Sequence, residues 1–225
     1  MMICTIGPNL LDLPRNYSHS IRSGSDMIIG LTGGIASGKS TAAKFLASEG
    51  AQVMDGDFLG HRAYEPNTTA FSKIVETFGN DIVGGDGQID RKVLGGKVFG
   101  NSDALKQLTD ILWPEIRRMF SEWISNGKDN NPNALMVMDA AVLLEAGWED
   151  LADEIWVVIV PPYIAVERAV ARDGLDADAV QKRIASQLTN EERSARADIV
   201  IDNSDSEEAF LIRLRDELKR VTTND

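Results

Sequence analysis

Gly33-Gly34-Ile35-Ala36-Ser37-Gly38-Lys39-Ser40 decides how the rest of this chain is read. Two glycines separated by four residues and followed by Lys-Ser match the phosphate-binding loop pattern with no mismatch. The flanks agree. Met27-Ile28-Ile29-Gly30-Leu31 is a short apolar run of strand length, and Thr41 to Ser48 carries good helix formers with Gly50 as a stop. In strand–loop–helix order, the loop N–H groups and the positive helix end cradle phosphate oxygens. The nucleotide-binding stretch is therefore Gly33, Gly34, Ile35, Ala36, Ser37, Gly38, Lys39, Ser40 and Thr41. Lys39 would reach the β- and γ-phosphates, and the Ser40 hydroxyl would hold Mg²⁺. The plain alternative is a glycine-rich turn with a chance lysine, and two correct flanks argue against it. The loop implies a nucleoside triphosphate and leaves the phosphate acceptor open.

Working outward, the chain has 225 residues, room for one large domain or a core with a small insertion. No apolar run approaches membrane-spanning length, so a soluble, globular protein is expected. The net charge is −12, which argues against nucleic acid as a partner, because a phosphate backbone needs a basic face. An acidic chain that binds an anionic nucleotide must gather its few cations at the site. Cys4 is the only cysteine, so no internal disulfide forms, which suits the reducing cytoplasm. Residues 1–26 hold two prolines and no helical period, and lack the apolar core of a secretory signal. They read as a weakly ordered extension ahead of a kinase-like domain at 27–225.

Apolar strand-like runs recur at Met27–Leu31, Ala51–Met54, Leu135–Met138, Ile155–Val160 and Ile199–Ile201, with helical patterns between them. Buried runs without alternation, joined by helices, predict an α/β fold: a parallel five-stranded sheet covered by helices on both faces. The interval 58–124 contains no convincing sheet strand. Phe71, Ile74, Val75 and Phe78 fall at helical spacing, ended by Gly79. Gly84-Gly85-Asp86-Gly87 reads as a turn. Leu105, Leu108, Leu112, Ile116, Met119, Phe120 and Trp123 form a longer helical stripe through Pro114. The interval is thus a helical insertion between the second and third strands, where nucleotide kinases hold the acceptor. Ser125 to Pro132 reads as a polar loop.

Asp55 and Asp57 directly follow the second strand, and ligands of open parallel sheets sit beyond the carboxyl ends of the strands. One aspartate could orient an attacking hydroxyl while the other caps a helix; Asp57 is favoured for the chemistry. Asp139 ends the third strand and is a candidate Mg²⁺ ligand, directly or through water, or else a loop carboxylate. Arg168 and Arg172 are four apart and share a helix face, with Arg183, Arg193 and Arg196 beyond them. Guanidinium forks match phosphate oxygens, so an arginine-bearing lid over about 163–196 is one reading. A solvated surface helix is the reading for any one arginine taken alone. His61 reads as a capping or packing residue.

With these pieces placed, the chain resembles the dephospho-coenzyme A kinase family from Ile28 to about Leu218. The resemblance rests on Gly30–Thr41, on Asp55-Gly56-Asp57 with His61, and on Ile89-Asp90-Arg91-Lys92-Val93-Leu94-Gly95. It continues through Leu143-Leu144-Glu145, Glu167-Arg168 with Ala171-Arg172-Asp173, Arg183-Ile184-Ala185-Ser186-Gln187 and Ala197 to Asn203. The segments Gly60–Tyr64 and Asp139–Trp148 are closer to the kinase domain of eukaryotic bifunctional coenzyme A synthase. Many bacterial members have His-Pro where this chain has Trp113-Pro114, so no role for that histidine carries over. The resemblance implies ATP- and Mg²⁺-dependent phosphorylation of the ribose 3′-hydroxyl of dephospho-CoA. It implies Asp57 as general base, Lys39 and Arg168 as catalytic, Arg168, Arg172 and Asn203 on ATP, and His61, Arg91 and Leu143 with Asp57 on the acceptor. Two rivals stand at this point: a phosphate-loop kinase of another small acceptor, such as a nucleoside monophosphate or shikimate, and a module that senses ATP without turnover.

Overall fold

The apolar runs become strands at the expected places. In the computed structural model, residues 27–174 and 176–223 are described. The expected amino-terminal extension, Cys4 included, lies outside them. The strands are β1 (Ile28–Gly33), β2 (Gln52–Asp55), β3 (Met136–Asp139), β4 (Glu154–Ile159) and β5 (Ile199–Asp202). They form one five-stranded sheet in the order β2-β3-β1-β4-β5. β1 pairs in parallel with β3 and β4, and β4 in parallel with β5. All six residues of β1 are buried, and so is every residue of β3. A central strand covered on both faces has no solvent side, which is why these runs show no alternation.

The chain divides into two compact units, one formed by the described residues of Met1–Met54 and Gly127–Asp225, the other by Asp55–Asn126. In the first, α1 (Lys39–Ser48) and α9 (Glu207–Thr222) cover one face of the sheet. Ile29, Leu31, Trp156, Val158 and Ile201 meet Phe45, Leu46, Phe210, Leu214 and Leu218 there. Each large apolar side chain buried in this way contributes roughly 1.5–3 kcal/mol. On β1's other side, Gly30 lies against Leu143, Ala152 and Ile155, leaving no room for a Cβ. The same unit carries three helices after β4: α6 (Pro162–Asp173), α7 (Ala177–Ala185) and α8 (Asn190–Ser194).

The second unit is helical, as expected. It contains α2 (Gly56–Ala63), α3 (Thr69–Phe78), α4 (Arg91–Val98) and most of α5 (Ser102–Asn130). Asp55, Thr68 and Asp90 cap the first three with side-chain oxygens. Ile74, Leu108, Leu112, Ile116 and Phe120 of the stripes are buried core, and the other apolar residues of the stripes are half-buried. The Gly84–Gly87 segment is a turn closed by the Gly87 N–H on the Gly84 carbonyl.

One expectation is corrected. Ser125 to Asn130 is not a loop but the last turns of α5, which runs for 29 residues. Polar residues suggested a loop, but an established helix adds one hydrogen bond per residue at little cost. Gly127 is admitted for a packing reason, since a Cβ there would stand 2.3 Å from the Met136 methyl.

Candidate active site

The phosphate loop owes its shape to contacts that only glycine allows. A Cβ on Gly33 would approach the Val158 carbonyl oxygen to 2.5 Å and Ser37 Oγ to 2.6 Å. Gly38 has φ of 100°, and a Cβ there would stand 2.1 Å from Asn203 Nδ2. Ala36 also lies in the left-handed region, at φ 53°. A non-glycine residue held there stores local strain that the surroundings must sustain. Two sets of contacts hold it. The Ser37 N–H closes a turn on the Gly34 carbonyl, and Asn203 Nδ2 donates to the Ser37 carbonyl at 2.7 Å.

Helix α1 starts from this loop with no side-chain cap and no acidic residue in its first turn. By contrast α2, α3, α4, α7, α8 and α9 each carry a Ser, Thr or Asp cap. The N–H groups of Lys39 and Ser40 at the start of α1, which have no intrahelical acceptor, together with the helix dipole suit an anion. Lys39 Nζ is ion-paired with Asp139, which ends β3 and is 7% exposed. Lysine, hydroxyl and carboxylate are thus carried by two adjoining elements, α1 and β3.

For a metal, Ser40 and Asp139 supply a hydroxyl and a carboxylate. Among the described residues no group of three or more His, Cys, Asp or Glu could hold a metal ion. Two oxygen ligands beside a phosphate cradle fit Mg²⁺, which is bound through one or two protein oxygens, water and substrate phosphates.

The helices that follow β4 bring one buried arginine to the loop. Arg193, on α8, is 1% exposed, although its helix reads as surface. Its guanidinium donates to the Leu188 carbonyl and to Glu145 Oε1, the latter at 3.1 Å. Burial pushes its pKa below the ordinary arginine value, and Glu145 opposes that shift. Gln187 Oε1 accepts the Ile35 N–H at 3.1 Å. A cavity of about 230 Å³ lies among these groups, bordered by Gly34, Ile35, Ser37, Gln187 and Arg193 with Pro162 opposite. The sequence offers Arg193 only as one of several arginines of a possible lid, and Glu145 and Gln187 only as residues of the family resemblance without a site role. The one usable signal is the Thr189-x-x-Glu192 capping box, present in the structure, which sets where α8 begins and so which face Arg193 takes.

The expected lid arginines divide. Arg168 is half-buried on α6, and no hydrogen bond or ion pair engages it among the described residues. Arg172 is held in a two-pronged bond by the next residue, Asp173, both contacts at 2.7 Å. That bond raises the Arg172 pKa and lowers that of Asp173. A phosphate would have to draw Arg172 from this carboxylate. Asn203 braces the loop backbone from behind. Leu143, expected on the acceptor, is fully buried beneath β1 and belongs to the core. A side chain with no exposed surface offers an acceptor nothing to touch.

The remaining expected acceptor residues lie in the helical unit. Asp55 takes the cap, accepting the Asp57 N–H at 2.7 Å and the Phe58 N–H at 3.4 Å. The Asp57 carboxylate is therefore spared that duty, and the residue is exposed. An Arg91 guanidinium nitrogen lies 3.0 Å from His61 Nε2. Arginine can only donate, so Nε2 accepts and the imidazole is neutral. In agreement, burial first and Arg91 second hold the His61 pKa below its ordinary value, against Asp57 and Asp55. Arg91 also lies over the Tyr64 ring, 5.9 Å from its centroid.

The sequence profile of the dephospho-CoA kinase family matches residues 27–208. A curated dephospho-CoA kinase from Geobacter sulfurreducens is 43% identical over 189 residues, covering 84% of this chain and 95% of the relative. Among solved structures, one from Thermus thermophilus is 33% identical with a TM-score of 0.75, covering 88% of this chain and 98% of its own. The dephospho-CoA kinase of Campylobacter jejuni is 28% identical with a TM-score of 0.59, covering 86% and 96% of the two chains.

Proposed function

This chain belongs to the dephospho-CoA kinase family, and on that premise we propose that it transfers the terminal phosphoryl group of ATP to the ribose 3′-hydroxyl of dephospho-CoA. The products are CoA and ADP, the last step of coenzyme A biosynthesis. The observation that carries this is the family match over 27–208, which contains the whole phosphate loop and its flanking strand and helix. The reaction breaks the bond between the γ-phosphorus and the β,γ-bridging oxygen and forms one to the ribose oxygen, whose proton must leave. In-line transfer of this kind needs positioning and charge neutralisation more than covalent chemistry.

The α1 end and the loop hold the phosphates. Lys39 leaves Asp139 for the β- and γ-oxygens, with Arg168 supplying a second positive charge. Asp57 accepts the hydrogen bond of the attacking hydroxyl and takes its proton as transfer proceeds. Ser40 and Asp139 would hold Mg²⁺, which when bound would neutralise phosphate charge. His61, Arg91 and their helical unit receive the acceptor, ATP and dephospho-CoA being the partners. Action in the cytoplasm, without nucleic acid or membrane, suits the acidic composition and single cysteine.

An ADP-release assay with dephospho-CoA, AMP and shikimate as acceptors tests the proposal, with Lys39→Ala as the blank. Turnover of dephospho-CoA, dependent on ATP and Mg²⁺ and lost in the variant, is expected. Efficient turnover of AMP or shikimate with none of dephospho-CoA would overturn it.

A further inference from the structure

The segment joining α7 to α8 lies along the first half of the phosphate loop. A Cβ on Gly34 would stand 3.6 Å from Gln187 Oε1 and 3.6 Å from an Arg193 guanidinium nitrogen. Three buried side-chain atoms lack a hydrogen-bond partner among the described residues: Ser37 Oγ, Arg193 Nε and Glu145 Oε2. Ser37 and Arg193 both border the cavity at the loop, and Glu145 is the carboxylate that holds Arg193. Buried polar atoms are seldom left unpaired. Their gathering around one cavity marks a place built for a polar guest.

Gln187 has the free hydrogen-bonding capacity there. Its carbonyl half is committed to the Ile35 N–H, so its Nε2 keeps two donors, and no partner engages them among the described residues. Arg193 does not serve in the same way, because its nitrogens are spent on Leu188 and Glu145 or fully enclosed. By holding the Leu188 carbonyl, Arg193 fixes the residue next to Gln187. The guest is an acceptor of hydrogen bonds at the Gly34–Ile35 side of the loop. The loop N–H groups and the α1 end engage the inner phosphates and Lys39 reaches on to the terminal one, so the side of the loop away from α1 flanks the terminal phosphate.

We propose that Gln187 donates through Nε2 to the terminal phosphoryl group of a bound nucleoside triphosphate, and that Arg193, held by Glu145 and Leu188, is the positioning residue behind it. The inference rests on reading the loop as a triphosphate site. Gln187 thereby lets the enzyme distinguish ATP from ADP.

The test is equilibrium titration of the full chain with ADP and with a non-hydrolysable β,γ-imido analogue of ATP, each with Mg²⁺. Gln187→Ala weakens the triphosphate analogue about tenfold, as for a hydrogen bond to a charged group, and leaves ADP within about twofold. Gln187→Glu weakens the analogue further, because its carboxylate still accepts the Ile35 N–H but brings negative charge and no donor. Arg193→Lys lowers the triphosphate-to-diphosphate preference in the same direction, with ADP affinity kept. If Gln187 were only a brace, Gln187→Glu would bind like the parent, and Gln187→Ala would weaken both nucleotides alike. Either result overturns the proposal. A parent protein that binds neither nucleotide overturns the triphosphate-site reading itself and the proposal with it. Gln187 is only half-buried, and thermal melting checks that each variant is folded.

Discussion

Asp55 and Asp57 are two residues apart and chemically identical, yet the chain gives them different work. Asp55 is in an extended conformation with its carboxylate turned onto the following N–H groups, as an N-cap must be. Asp57 already lies in the first turn, where a side chain cannot reach those groups. Asparagine is nearly isosteric with aspartate and itself a good cap, so Asp55→Asn should keep both the helix and most of the activity. Asp57→Asn should lower turnover about 10²–10⁴-fold, the usual worth of a general base. Because the loss is confined to the chemical step, kcat and kcat/KM fall together. Kinetics beside thermal melting check this. A folded Asp57→Asn enzyme within about threefold of the parent kcat would show that another carboxylate is the base. The pair was readable in the sequence as one cap and one carboxylate for the chemistry, because capping preferences are local. Arg193 was not: whether an arginine on a short helix faces water or a half-buried glutamate 48 residues away depends on packing that no local pattern encodes.

Among the elements, α7 is the one placed to move. It has a single buried residue, Val180, and follows Gly174, whose left-handed φ of 63° ends α6. Its core is small: Ile35, Ala169 and Val180, with Val166 and Ile184 against them. Few buried contacts mean a low free energy of local opening. ATP with dephospho-CoA should slow amide exchange across α7 and the segment up to Arg193, since closure excludes water from a reactive phosphoryl group. α1, buried through Ala42, Ala43, Phe45 and Leu46, should already exchange slowly without ligand. Unchanged exchange in α7 with both substrates present would refute a closing lid. Strands and amphipathic helices were readable because each is a periodicity in apolar residues. The end of α5 was not, because the polar run from Ser125 gives no sign that the helix continues.

At the scale of the whole molecule, the last helix is tied back to the sheet by a charged clasp. Glu154, at the start of β4, accepts from two Arg220 guanidinium nitrogens at 2.9 and 2.6 Å and from Trp156 Nε1 at 2.9 Å. The Arg220 bond, against a smaller burial effect, holds the Glu154 pKa below its ordinary value. A carboxylate depressed in the folded state stabilises the fold fully above its unfolded value near 4.5, and loses this as pH falls through the folded value. Arg220→Met should therefore lower the stability at pH 7 by about 1 kcal/mol or less for so exposed a pair, and the melting temperature with it. The gap between variant and parent should narrow as pH falls below about 4. Melting curves from pH 3 to 7 check it; a gap that stays constant would mean the clasp acts through packing alone. The sequence by itself determined the α/β class, the strand positions, the phosphate loop and the family, because these depend on short-range pattern and on residue types at fixed spacing. The tertiary structure alone decided the strand order, the burial of Leu143 and Arg193, and the contact of Gln187 with Ile35. Each joins residues far apart in the chain, and which of them meet is settled only when the sheet and its covering helices compete for the same apolar interior.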